Sequence, residues 1–260
     1  TMLTRWLPII VPVLLLAGVM IFLWRVLIWS QKKQTVNIRD ASLTSEELEA
    51  HAKSIAIHHV VTNRKNYSTW PIPRMNDNYS VILATYIKLN MDVQKRRVVP
   101  PTAEWLLDNF YMVEEQVKVL CRDFSRKSYL RLPILKSGTM KGYARIYAIA
   151  TELIAHSDGQ VDDRSLVNYL NAYQTHSILL DREIGAVPMV MMLAMIEYLR
   201  HLCEGIEETL LQWDRANQIV DRWMENQGSD TDGVARLIAK SLYSLDEVDP
   251  TFIEHLFYRL

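Results

Sequence analysis

Residues 7–24, LPIIVPVLLLAGVMIFLW, form an apolar run of eighteen residues without a charge, about the length a helix needs to cross a bilayer's hydrocarbon core. Trp6, Trp24 and Trp29 flank it where amphipathic rings favour the headgroup level, and Arg25 can extend its guanidinium to water along an apolar stem. A secretory leader would show a basic start, a shorter apolar stretch and a small-residue cleavage site. Here only Arg5 precedes the run, and Trp24-Arg25-Val26 follows it. The pattern predicts an uncleaved transmembrane anchor over residues 1–30. Arg25, Lys32, Lys33 and Arg39 on its C-terminal side, against Arg5 on the other, predict a single pass with the helical remainder in the cytoplasm.

Beyond residue 30 the apolar positions become periodic. Residues 31–75 read as a juxtamembrane helix and linker: Thr44 or Ser45 followed by Glu46 and Glu47 starts a helix that runs to about residue 61. A polar loop with Pro71 and Pro73 follows, either a hinge or a plain connection. Residues 76–260 read as a helical domain whose first helix lies near 78–93. Pro100-Pro101 then opens the most regular segment, in which Leu106, Phe110, Val113, Val117 and Leu120 recur every three or four residues. That helix buries one face and presents Asp108, Glu115 and Lys118 elsewhere. Further helices are predicted over 142–155, 162–173, 184–202 and 204–226, with short ones near 230–241 and 249–260. Strand alternation is absent apart from an ambiguous run at 129–135. The class is all-α: an N-terminal transmembrane helix followed by a bundle of antiparallel helical hairpins joined by short turns such as Ser157-Asp158-Gly159. No fixed-period repeat supports a tetratricopeptide-type array.

Composition narrows the function classes. With 29 Lys and Arg against 30 Asp and Glu, the net charge of −1 supplies neither a basic field for nucleic acid nor an acidic tail. Cys121 and Cys203 lack a C-x-x-C spacing and read as reduced core residues. Thr1 precedes a plausible initiator Met2, and Leu260 falls inside the amphipathic run TFIEHLFYRL, so the expectation is a fragment of a longer chain, truncated at its C-terminal end.

The chemistry-bearing patterns each have a plainer structural counterpart. Asp162-Asp163 and Asp230-Thr231-Asp232 resemble metal-binding carboxylate pairs but stand at helix starts, where Asp caps. Glu104, Asp108, Glu114 and Glu115 can contact a polar ligand or form a solvated face. Trp105 and Tyr111 can stack on a ligand ring, while Trp105 also suits a core or an interdomain surface. Arg145 with Tyr147, and His156 with Asp158, make polar pairs at opposite ends of one helix, where a terminal His and a Gly159 cap also account for the pattern. The segment from Asp158 fails as a calcium loop because Tyr169 holds its twelfth position. No H-E-x-x-H or phosphate loop occurs, and His51 and His58 share a helical face without a third ligand nearby in sequence, so no metal ligand is assigned. Met189, Met191, Met192 and Met195 read as filling for an irregular core.

Several of these segments, in order, carry a resemblance. PPTAEWLLDNFYMVEEQVKVL at 100–120 is followed by Tyr129-Leu130-Arg131-Leu132-Pro133, Gly142-Tyr143-Ala144-Arg145-Ile146-Tyr147-Ala148 and Glu152-Leu153-Ile154-Ala155-His156-Ser157-Asp158-Gly159. Ala172-Tyr173-Gln174, Glu183-Ile184-Gly185-Ala186-Val187-Pro188-Met189 and Ile196-Glu197-Tyr198-Leu199-Arg200 complete the series. Together they resemble the N-terminal region of bacterial cyclic β-1,2-glucan synthases, inner-membrane glycosyltransferases; Gly185 departs from the family's aromatic at that place. The resemblance implies a parent enzyme that polymerises glucose from UDP-glucose, with a divalent metal in a downstream transferase domain, and then cyclises the glucan. For this segment it implies no catalytic residue and no cofactor. Its partners are the membrane and the downstream transferase and cyclising domains of the same polypeptide. Trp105, Asp108, Glu115, Arg145, Tyr147, His156 and Glu183 are the candidate contacts to substrate or neighbouring domain. The alternative is a membrane-tethered helical scaffold whose Trp105, Phe110 and methionine patches bind other proteins.

Overall fold

Thr44 starts the first helix as its sequence predicts: its hydroxyl accepts from the Glu47 N–H, while the Glu47 carboxylate accepts from the Thr44 N–H at 2.8 Å. The computed structural model describes residues 43–63, 68–225 and 250–259. Helix α1 (Ser45–His58) leads to strand β1 (Val61–Thr62), helices α2 (Ile72–Gln94) and α3 (Pro101–Asp123), the single turn α4 (Arg126–Tyr129) and strand β2 (Ile134–Leu135). Then come α5 (Arg145–His156), α6 (Asp163–Gln174), the turn α7 (Asp181–Ile184), α8 (Val187–Glu225) and α9 (Pro250–Arg259). The predicted anchor and the predicted helix at 230–241 lie outside the described residues, among which no helix is long and apolar enough to cross a membrane.

The chain is mostly helical, and its departures from the predicted elements have local causes. Helix α1 stops at His58 because Val61 and Thr62 pair antiparallel with Leu135 and Ile134. The ambiguous run at 129–135 therefore divides into the end of α4 and strand β2. Helix α2 begins at Ile72, earlier than the predicted residue 78, since Pro71 and Pro73 occupy the cap and first turn, where a missing N–H costs nothing. Helix α3 buries Ala103, Leu106, Phe110, Val113, Val117 and Leu120, as its periodicity predicts, and Phe110 stacks on Tyr86 of α2 at 3.9 Å.

The core is built around α5, in which every residue except Glu152 is buried. A helix buried on all sides needs partners on all sides. It packs chiefly on α8, while α1 lies on α6 and α2 on α8. Consecutive packing holds for α2 with α3 and for α8 with α9, but the other main pairings join helices distant in sequence, unlike a simple series of hairpins. At the end of α5, Asp158 and Gly159 take left-handed conformations (φ 55° and 70°). A Cβ at Gly159 would sit 2.9 Å from the Tyr198 ring.

The two helices predicted at 184–202 and 204–226 are one, the 39-residue α8. Gly205 does not break it, because a lone helical glycine costs only about 1 kcal/mol against alanine. Buried Cys203, Ile206 and Leu210 carry the apolar stripe across that point. Cys203 fits its predicted core place, and burial pushes its thiol up to about 12. Cys121 does not: it follows Leu120 off the buried stripe of α3 and is exposed. Nor do the methionines fill the core, for Met189, Met191 and Met192 are half-buried and Met195 is exposed.

A Cβ at Gly205 meets nothing within 4 Å. Gly205→Ala is expected to raise unfolding stability by about 1 kcal/mol in urea titration, whereas Gly159→Ala, with its positive φ and the Tyr198 contact, is expected to lower it.

Candidate functional site

Arg145 opens α5 and points its guanidinium into the interior, 4% exposed. Its Nε and Nη2 donate to the two Glu183 carboxylate oxygens at 3.0 and 2.6 Å; Nη1 donates to Ser177 Oγ at 2.7 Å and Nη2 to the Ile178 carbonyl at 3.0 Å. Glu183, fully buried in α7, also accepts from the Leu180 N–H at 3.0 Å. This forked, charge-matched contact is the arrangement that lets two ions leave water together. Two candidate residues, 38 positions apart, thus meet each other.

Two residues along α5, the Tyr147 hydroxyl donates to Glu197 of α8 at 2.8 Å, and Arg74 of α2 donates to the same carboxylate through Nε at 3.0 Å and through Nη2. Burial pushes the Tyr147 phenol well up, and the adjacent carboxylate adds to this. The Tyr129 hydroxyl accepts from the Ala144 N–H at 2.9 Å, satisfying a backbone donor at the start of α5.

At the far end of α5, the Nε2 atoms of His51 and His156 lie 3.0 and 3.3 Å from Glu152 Oε2. The two imidazoles meet edge to face at 4.3 Å. Burial opposes ionisation of Glu152, but the hydrogen bonds from His156 and His51 outweigh it and hold the carboxyl down to about 2. Nearby, His59 Nδ1 lies 3.0 Å from the Tyr173 hydroxyl, and burial, against the attraction of Glu152, lowers the imidazole to about 4. His51 does not act with His58, whose Nδ1 lies 2.8 Å from the Ser54 carbonyl. Asp158 accepts from the Tyr198 hydroxyl instead of joining His156.

The remaining candidates are elsewhere. Trp105, Asp108 and Glu115 stand exposed on α3 and share no hydrogen bond or ion pair with the buried group among the described residues. Asp162 caps α6 by accepting from the Ser165 N–H at 2.7 Å. A cleft of about 740 Å³ between α2, α8 and α9 is lined by Lys88, Arg96, Arg97, Trp213, His255 and Tyr258, among others. Trp213 stacks on His255 at 4.6 Å, and Arg97 and Arg259 pair with Asp92 and Asp221 at 3.2 and 3.1 Å.

Sequence reasoning missed Glu152, Glu197, Arg74 and the cleft as parts of any constellation, and weighed His51 only with His58. The Glu152–His156 spacing of four residues on one helix was a readable signal. His51, 101 positions from Glu152, gave none until α1 was seen against α5.

No family model matches the chain. Over 188 residues, 72% of its length, the chain is 32% identical to the cyclic beta-(1,2)-glucan synthase NdvB of Rhizobium meliloti (strain 1021). The resemblance read from the ordered motifs is therefore shown: the chain is similar to part of such a synthase, and it covers 6% of that relative's length.

Removing either partner of a buried ion pair leaves the other uncompensated. Arg145→Met and Glu183→Leu are each expected to cost about 3–5 kcal/mol in urea unfolding, and the double variant is expected to recover most of that loss. The histidine end gives an acid limb. His59, lowered from 6.5 to about 4 in the fold, contributes stability present above 6.5 and lost as pH falls through 4. Glu152, lowered from 4.5 to about 2 and faced by His51, His156 and Tyr169, contributes stability present above 4.5 and lost as pH falls through 2. Unfolding measured across pH should show both windows, with His59→Gln removing the upper and Glu152→Gln the lower.

Proposed function

We propose that this chain is the membrane-anchored, non-catalytic N-terminal part of a cyclic β-1,2-glucan synthase, holding the downstream transferase and cyclising domains at the bacterial inner membrane. The observation that carries the reading is the use made of the motif residues. Glu183 and Glu197 each face an arginine of this same chain, whereas a nucleotide-sugar transferase needs carboxylates free to hold a divalent metal against the leaving diphosphate. The motif residues Arg145, Tyr147, Glu183 and Glu197 thus serve the interior of a helical unit. UDP-glucose and its metal belong, in this reading, to the downstream transferase.

The apolar run at 7–24 supplies the anchor, and a tethered helical unit limits the orientations that the following domains sample. Trp105, Asp108, Met112 and Glu115 recur at helical spacing, all exposed, on α3. This stripe of aromatic, thioether and acidic groups is the surface offered to the downstream domains. The same exposure favours the alternative reading, a tethered scaffold for other proteins.

The test is Trp105→Glu with Met112→Glu in the full-length synthase. Membrane-bound glucan synthesis from UDP-glucose is expected to fall about tenfold or more, the loss of a hot-spot pair, with the protein still at the membrane. Unchanged synthesis overturns the assigned contact. Unchanged synthesis with loss of a co-purifying protein turns the reading toward the scaffold.

A further inference from the structure

We propose that His51, Glu152 and His156 form a zinc site that joins α1 to α5. Their ligand atoms all lie within 4.8 Å of one another. The 3.0 and 3.3 Å separations of the two imidazole Nε2 atoms from Glu152 Oε2 are close to the edge of a tetrahedron with bonds of about 2.0–2.1 Å, which is about 3.3 Å. Two edges of such a polyhedron are thus already formed, and the third, between the two imidazoles, is within 4.8 Å.

The backbone, more than side-chain freedom, sets this spacing. Glu152 and His156 are one turn apart on α5, the helix most fully enclosed in the fold. His51 comes from α1, which packs on α5 and α6, and whose entry is tied to the same place by the Leu43 N–H donating to the His156 carbonyl at 2.8 Å. His156 is 6% exposed, and its Nδ1 is buried without a partner. It is therefore Nε2, facing Glu152, that offers the ligand atom to the cluster.

The donor set selects among metals. Two imidazoles and a carboxylate suit zinc, and three protein ligands leave the fourth tetrahedral position to water. Calcium and magnesium need more oxygen ligands than one carboxylate supplies. The His51 and Glu152 side chains keep 24% and 21% exposure, so an ion can enter from solvent. The inference rests on this geometry alone and does not depend on the glucan synthase reading.

The experiment uses the whole chain in detergent, without a histidine tag, stripped with chelator and dialysed against zinc chloride or cobalt chloride. About one zinc per chain by elemental analysis, tetrahedral visible bands for cobalt and a zinc-dependent rise in melting temperature are expected. His51→Gln and Glu152→Gln should each weaken zinc binding about tenfold or more and abolish the rise, while His58→Gln, outside the cluster, should not. His51 is at the half-exposed edge, so its variant tests the site without disturbing the core, and circular dichroism verifies its fold. Absence of stoichiometric zinc in the unsubstituted chain overturns the proposal. So does zinc held equally well by His51→Gln and Glu152→Gln, or a cobalt spectrum without tetrahedral bands.

Discussion

A guanidinium taken out of water keeps its charge only if a carboxylate goes with it, and the arrangement around α5 follows from how Arg145 meets that demand. Its partner, Glu183, is on the short turn directly before α8, so their contact sets where the longest helix begins. The Ser177 hydroxyl and Ile178 carbonyl complete the guanidinium's bonding, which folds the connection after α6 around the same point. Two turns' worth of chain without regular helix are thereby ordered by one buried ion. The cost of desolvating that ion is recovered only when every one of these contacts is made together, a condition that favours one packing of α5, α6 and α8 over its near alternatives. The Tyr147–Glu197–Arg74 group extends the same logic to α2.

Legibility in the sequence followed the range of the interaction concerned. Helix α3 was readable because Pro101, the acidic first turn and the spacing of Leu106, Phe110, Val113, Val117 and Leu120 are local signals that agree. The caps at Thr44 and Asp162 were readable for the same reason. The continuity of α8 across 202–204 was less readable, since it depends on buried Cys203, Ile206 and Leu210 carrying one stripe through that point. Among the candidate residues, Arg145, Tyr147, His156 and Glu183 stood out as motif members, yet nothing local marks Arg145 for Glu183 or His156 for His51. Those pairings depend on which helix faces which, and the α1–α6 and α5–α8 contacts were beyond periodicity. Cys121 shows the limit at finer scale: one position past Leu120 separates core from surface on a helix.

The polar residues fall into two populations with different physical standing. Arg145, Tyr147, Glu183 and Glu197 are enclosed and matched, so altering them changes folding before it changes any surface. Trp105, Asp108 and Glu115 on α3 are open to solvent and free to contact another domain at little cost to the helix beneath. Motif membership alone does not separate the two groups, since PPTAEWLLDNFYMVEEQVKVL and the Arg145 segment both belong to the ordered series read from the sequence.

Helix α8, at 39 residues and about 1.5 Å per residue, is about 58 Å long. Near its start it carries Glu197, bound to Tyr147 and Arg74; near its end Ala216, Ile219 and Val220 enclose Phe252 of α9. One uninterrupted rod is thus clamped at both ends. The docking of α9 and the anchoring of α2 and α5 at Glu197 are thus joined by one continuous helical backbone. The placement of α9 and the placement of the Tyr147 and Arg74 side chains are therefore referred to the same helix, whose course fixes the distance between them.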